Sequence, residues 1–191
     1  MFSKKVIVAL DSNDIQKTLK LVRILKDEVY AFKIGYEFFL NFGIEGYKKI
    51  YKECPNIFLD LKLHDIPNTV NKGIKAITKL KPLLTTIHIS GGDNMMQASV
   101  VKNKRTKILG VSVLTSLDKA QTKKYYNKKN ISSLVKKFVE EAKKNGLNGI
   151  VCSPKEIKYV RKLVGKEFLI VTPGIGLQSN KIIKDDQRRI L

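Results

Sequence analysis

What most limits how this chain can fold is an order that recurs along it, in which a short β-rich apolar run is followed by a longer amphipathic segment. The apolar runs fall at 6–11, 30–35, 56–62, 84–89, 108–114, 149–153 and 168–173, and helix-like spacing occupies 14–27, 36–52, 67–80, 93–103, 131–145 and 154–164. In the first amphipathic segment Leu19, Val22, Ile24 and Leu25 form one apolar stripe with lysines opposite, the pattern of a helix that buries one face. Strands that alternate with helices pair in parallel, since a parallel neighbour is reached only by a crossover. The expected fold class is therefore α/β, a TIM (β/α)8 barrel represented by about seven βα units. A doubly wound open sheet is the alternative, weakened by the lack of a GxGxxG after the first strand.

No Gly/Pro-rich linker interrupts the pattern, so residues 1–191 are expected to form a single domain. After Thr172-Pro173-Gly174-Ile175 the sequence continues through a polar stretch to Leu191 without an eighth apolar run. Barrels of this type take about 250 residues, sometimes as few as about 200. The expectation is a barrel incomplete at its C-terminal end, lacking the last βα unit.

A chain that is 43% hydrophobic and 28% charged can bury one sizeable core. Its 37 Lys and Arg against 17 Asp and Glu, formally +20, bias encounters toward anions. The lysines are scattered singly and in short pairs without aromatic interleaving, which predicts a solvated exterior and no nucleic-acid partner. Cys54 and Cys152 have neither CxxC nor metal-ligand spacing, so reduced thiols in a cytoplasmic protein are expected. The apolar run from Val6 stops at Asp11, too short for a signal-peptide core, and no run reaches the length of a membrane span.

Charges inside parallel strands need a reason, because such strands are covered on both faces. The first run ends at Asp11, the second contains Lys33, and the third carries Asp60 and Lys62 with Asp65 just beyond. Asp60 and Lys62, two apart, are expected on the same face of a regular strand, at the barrel mouth. Asp65 has the opposite parity and is expected in the loop, pointing away from that pair toward a neighbouring subunit. Barrel enzymes place their chemistry at C-terminal strand ends, and alternating signs let buried charges compensate one another. A purely stabilising ion-pair network is the bland alternative; apolar residues of similar volume would often hold a core as well. His64 and His88 each lack a second properly spaced ligand and read as structural, and Cys152 as packing. Thr115 could contact a ligand's polar edge or cap the next segment.

The ten residues Asp60-Leu61-Lys62-Leu63-His64-Asp65-Ile66-Pro67-Asn68-Thr69 resemble the signature of the orotidine 5'-phosphate decarboxylase family. The similarity runs from Val6 to Gln187 through Asp11, Phe32-Lys33-Ile34-Gly35, Ile87-His88-Ile89-Ser90, Val113-Leu114-Thr115-Ser116 and Thr172-Pro173-Gly174-Ile175. The resemblance implies a carboxy-lyase that converts orotidine 5'-phosphate to uridine 5'-phosphate and CO2 in de novo pyrimidine biosynthesis, without metal or other cofactor. It implies a catalytic tetrad of Lys33, Asp60, Lys62 and Asp65, in which Lys62 stabilises and protonates a carbanion at C6. It further implies that Asp11 and Lys33 contact the ribose, that Ile66, Pro67, Asn68, Thr69, Thr115, Gly176 and Gln187 bind substrate, and that Asp65 and Thr69 reach the partner's site in a homodimer.

The phosphate site departs from that pattern. The family usually has Arg after Thr-Pro-Gly-Ile where this chain has Gly176, and its later Gly-Arg-Pro-Ile segment has no counterpart before Leu191. A charge-assisted bond to an anion contributes roughly 1.5–3 kcal/mol. Weak nucleotide binding and little activity are expected of these 191 residues alone. Two alternatives follow, a catalytically impaired remnant that binds anions or a partner, and a Mg-dependent sugar-phosphate decarboxylase of the same superfamily. The latter places a carboxylate ligand at the end of strand two, where this chain has Lys33.

Overall fold

The computed structural model describes residues 5–101, 105–128 and 130–175. Seven parallel strands form one sheet in sequence order: β1 (Ile7–Ala9), β2 (Ala31–Ile34), β3 (Ile57–Leu63), β4 (Leu84–His88), β5 (Lys107–Val111), β6 (Gly149–Val151) and β7 (Leu169–Val171). The connecting helices are α1 (Ile15–Leu25), α2 (Tyr36–Glu53), α3 (Pro67–Lys79), α4 (Asp93–Ser99), α5 (Lys119–Tyr126), α6 (Ile131–Lys144) and α7 (Ile157–Val164). This is the architecture expected of a seven-unit βα barrel.

That the sheet curls is visible in what its inner face packs. Phe58 of β3, Leu84 of β4 and Leu109 of β5 form a small interior cluster that Ile7 of β1 and Leu169 and Val171 of β7 also join. The first and last strands thus share one interior, which a flat sheet of seven strands does not allow. Outside the strands, two larger apolar layers bury the helices: Val22, Phe32, Phe38 and Ile50 with their neighbours under α1 and α2, and Ile74, Ile87, Val139 and Val160 with theirs under α3 to α7. At Gly149 the strands β6 and β7 approach closely. A Cβ there would lie 2.5 Å from the Leu169 carbonyl oxygen, so any larger residue would push β6 and β7 apart.

Local chemistry sets the helix boundaries. Asp14 caps α1, its Oδ1 accepting from the amides of Gln16 and Lys17, both at 3.0 Å. Pro67 opens α3, where its missing N–H costs nothing. Gly43 takes φ 57° within α2 and kinks it, a backbone setting that a side chain would resist.

Several boundaries differ from the sequence reading: β1 stops at Ala9 rather than 11, β6 at Val151 rather than 153 and β7 at Val171 rather than 173, and α7 begins at Ile157 rather than 154. Helix α4 ends at Ser99 rather than near 103, and β5 ends at Val111 rather than 114. Helix α5 was not expected at all, because Lys119–Tyr126 buries only Thr122 and so has no apolar stripe to reveal it. Its start is fixed instead by Asp118, whose Oδ1 accepts from the Gln121 amide at 2.8 Å and whose carbonyl accepts from the Thr122 hydroxyl at 2.6 Å. Asp118, rather than Thr115, is the cap of this segment. None of the described helices is long and apolar enough to cross a membrane.

Candidate active site

The C-terminal half of β3 is not a regular strand. Between the pairs Leu59↔Thr85 and Leu63↔Ile87 it advances four residues while β4 advances two, and Lys62 adopts φ 46°. A left-handed backbone costs a residue with a Cβ about 1–2 kcal/mol and persists only when the surroundings enforce it. Such bulges re-aim side chains beside functional sites. Asp60 and Lys62 do meet, Nζ to Oδ2 at 2.8 Å, but through this bulge and not through the plain alternation that their spacing suggested.

The surroundings of the pair are specific. Asp60 is 7% exposed, and its other oxygen, Oδ1, accepts from the hydroxyl of the fully buried Thr86 on β4 at 2.8 Å. The same Thr86 Oγ1 accepts from the Lys62 backbone amide at 2.9 Å. The Tyr36 hydroxyl donates to the Leu61 carbonyl at 2.8 Å, and the Lys62 ammonium lies 6.0 Å from the Tyr36 ring centroid. A concavity of about 510 Å³ opens beside Lys62, lined also by Tyr36, Phe39, Leu40, Leu63, His64 and His88.

Of the residues singled out in the sequence, two groups come together as separate ion pairs. Lys33, at half-burial on β2, the strand next to the one that carries Asp60 and Lys62, places Nζ 3.1 Å from Asp11 Oδ1. Within one chain the four charges therefore do not form a continuous alternating row, because Lys33 pairs with Asp11 and not with Asp60. Asp65 stands apart, exposed, with Oδ1 accepting from the Ile66 amide at 2.6 Å. Ile66, Asn68 and Thr69 are also exposed, Pro67 and Thr115 are half-buried, and Gly176 and Gln187 lie outside the described residues.

His64 and His88, 24 positions apart in sequence, lie with ring centroids 5.1 Å apart and planes tilted by 34°, a neighbourhood that their spacing did not disclose. No group of three or more His, Cys, Asp or Glu suited to a metal occurs among the described residues. Burial pushes His88 down to about 4 from 6.5, with His64 and Lys62 acting in the same direction and Asp60 opposing. His88 is thus neutral at pH 7. In the unfolded chain it takes up a proton near 6.5, so the unfolded state binds more protons between about pH 6.5 and 4. Stability is expected to fall as pH drops through that window, and His88→Gln to flatten the decline; denaturant melts at pH 7 and pH 5 measure it. Equal slopes for the two proteins would refute this assignment. Cys152 is buried, its thiol pushed up to about 12 chiefly by burial, which makes it unreactive.

Thr86 and Tyr36 were missed by the sequence reading. Thr86 had no distinguishing signal, since threonine is enriched in β-strands and Thr85 beside it is equally buried. Tyr36 had none either.

A parallel βα barrel with paired ammonium and carboxylate groups at its strand ends defines the class of barrel enzymes that act at the C-terminal mouth. The model of the orotidine 5'-phosphate decarboxylase / HUMPS family matches residues 4–191. The chain belongs to that family. It is 42% identical over 186 residues to the orotidine 5'-phosphate decarboxylase of Wolbachia sp. subsp. Brugia malayi (strain TRS), covering 96% of this chain and 81% of that protein. Against the namesake from Ligilactobacillus salivarius (strain UCC118) the identity is 41% over 197 residues, covering 97% and 81%. Among solved structures, orotidine 5'-phosphate decarboxylase from Lactobacillus acidophilus superposes with a TM-score of 0.80 at 36% identity, covering 90% of this chain and 81% of that one. The inhibitor complex of the Methanocaldococcus jannaschii enzyme gives 0.75 at 30% identity, covering 92% and 79%.

Proposed function

We propose that this protein decarboxylates orotidine 5'-phosphate to uridine 5'-phosphate, as a cytoplasmic step of pyrimidine biosynthesis. The observation that carries the reading is the Lys62–Asp60 pair, held at 2.8 Å at the end of β3 in a chain of this family. Loss of CO2 breaks the bond between C6 and the carboxylate and leaves the electron pair on C6, where the ring delocalises it poorly. A fixed ammonium answers that need in two ways. It stabilises the developing negative charge, and it then gives a proton to C6 and recovers one from solvent. Asp60 holds the Lys62 ammonium in place through the 2.8 Å contact.

Lys33 and Asp11 are assigned to the ribose hydroxyls, one donating and one accepting. The segment Asp65 to Thr69 and Thr115 are assigned to substrate, with Asp65 and Thr69 serving the partner's site in a homodimer. Support comes from the exposure of Asp65, Asn68 and Thr69 and of the apolar Leu40 at 81% and Ile66 at 67%, which a partner would cover. Gly176 and Gln187 are assigned to the nucleotide on the same reading. The Mg-dependent alternative is disfavoured because the position it fills with a carboxylate ligand holds the Lys33 ammonium, fixed on Asp11.

The test is the ultraviolet absorbance change of orotidine 5'-phosphate at enzyme in excess of substrate, with and without EDTA. Conversion to uridine 5'-phosphate at an EDTA-independent rate is expected. No conversion under single-turnover conditions, or conversion abolished by EDTA and restored by Mg²⁺, overturns the reading.

A further inference from the structure

The bulge on β3 raises a question of cause: what holds Lys62 at φ 46° where the ladder with β4 is out of register and the pairing with β2 has ended at Leu59? The Leu61 carbonyl and the Lys62 amide belong to one peptide unit, and side chains satisfy both of its polar ends. Tyr36 Oη, from the first turn of α2, donates to the carbonyl at 2.8 Å. Thr86 Oγ1, from β4, accepts from the amide at 2.9 Å. The Thr86 hydroxyl then donates its own proton to Asp60 Oδ1 at 2.8 Å, and Asp60 Oδ2 accepts from Lys62 Nζ at 2.8 Å. The contacts close a ring that starts at the Lys62 backbone and returns to the Lys62 side chain.

We propose that Tyr36 and Thr86 are positioning residues, a two-hydroxyl clamp on the Leu61–Lys62 peptide that replaces the missing sheet bonds and presets the direction of the Lys62 ammonium. Neither residue touches the reacting atoms; both act through Lys62. The catalytic half of the inference rests on the reading of Lys62 as the group that acts on substrate. Thr86 carries more of the effect than Tyr36, because it is fully buried and bridges backbone and carboxylate with one oxygen, whereas Tyr36 is 53% exposed and water can take its place at the carbonyl.

The hydroxyl is the operative group, so Thr86→Ser keeps the clamp and Thr86→Val, similar in shape, removes it. In Thr86→Val the Lys62 amide is expected to exchange with solvent about 10-fold faster, the consequence of losing one buried hydrogen bond. Its kcat should fall about 100-fold with KM within about 3-fold, as for a misplaced catalytic group. Thr86→Ser should restore both, and Tyr36→Phe should show the same pattern to a smaller extent. Amide exchange resolved at Lys62 by NMR, with circular dichroism to confirm folding, reads the first effect, and the absorbance assay reads the second. Unchanged exchange at Lys62 in folded Thr86→Val, a loss that falls on KM, or Thr86→Ser behaving like the valine variant overturns the proposal. If Thr86→Val does not fold, Tyr36→Phe decides by the same two measurements, since its ring is at the surface. If the unsubstituted protein does not decarboxylate, the functional reading fails while the exchange comparison still decides the clamp.

Discussion

Lys62→Ala is expected to lower kcat for orotidine 5'-phosphate decarboxylation by at least about 10⁴-fold, the product of losing a preorganised charge and a general acid. The loss should appear in kcat with KM nearly unchanged, because the ammonium meets a negative charge that exists only as the C6 bond breaks. Alanine at this position inherits the left-handed backbone but not the means to act on C6. The substitution also has a structural cost. It leaves Asp60 Oδ2 without its partner on a side chain that is only 10% exposed, and stranding a buried charged acceptor costs about 1–3 kcal/mol. Activity is therefore compared at a temperature where circular dichroism shows the variant folded. A folded Lys62→Ala protein that retains kcat within about 10-fold of the parent would falsify the assignment of Lys62 as the acid and charge stabiliser.

How far the sequence alone reached follows the same physics. The seven strands were legible because parallel strands buried on both faces must be nearly pure apolar runs, and Phe58, Leu59 and Ile87 satisfy that demand. The charges at Lys33, Asp60 and Lys62 were legible for the converse reason: each violates the rule and requires a function or a partner. Helix α5 was not, because a helix held by the Asp118 cap and one buried threonine leaves no periodic trace. The bulge was not legible either. Nothing in Asp60-Leu61-Lys62-Leu63 marks a left-handed lysine, since the cause lies in hydroxyls contributed by β4 and α2, 24 and 25 residues away along the chain. The pairing of Lys33 with Asp11 rather than Asp60 joins two segments 22 residues apart, a contact that spacing along the chain does not reveal.

Asp60→Asn separates the two halves of this account, because it keeps the shape of the site and removes one charge. The amide oxygen can still accept from the Thr86 hydroxyl, so the bulge is expected to survive. Its NH2 group, however, then faces the Lys62 ammonium, a donor against a donor where a 2.8 Å ion pair stood. Lys62 should turn toward solvent, which it can reach because its side chain is already 29% exposed. The expected rate loss is about 10²–10³-fold, the effect of a displaced catalytic group and smaller than that of deleting it. Stability should follow the same order. A partly exposed ammonium that swings into water costs under about 1 kcal/mol, against the larger cost of the stranded carboxylate in Lys62→Ala. Denaturant melts of the two variants beside single-turnover rates test both rankings. If Asp60→Asn proves both slower than Lys62→Ala and less stable, Asp60 does more than hold Lys62, and the division between an acting ammonium and a positioning carboxylate has to be abandoned.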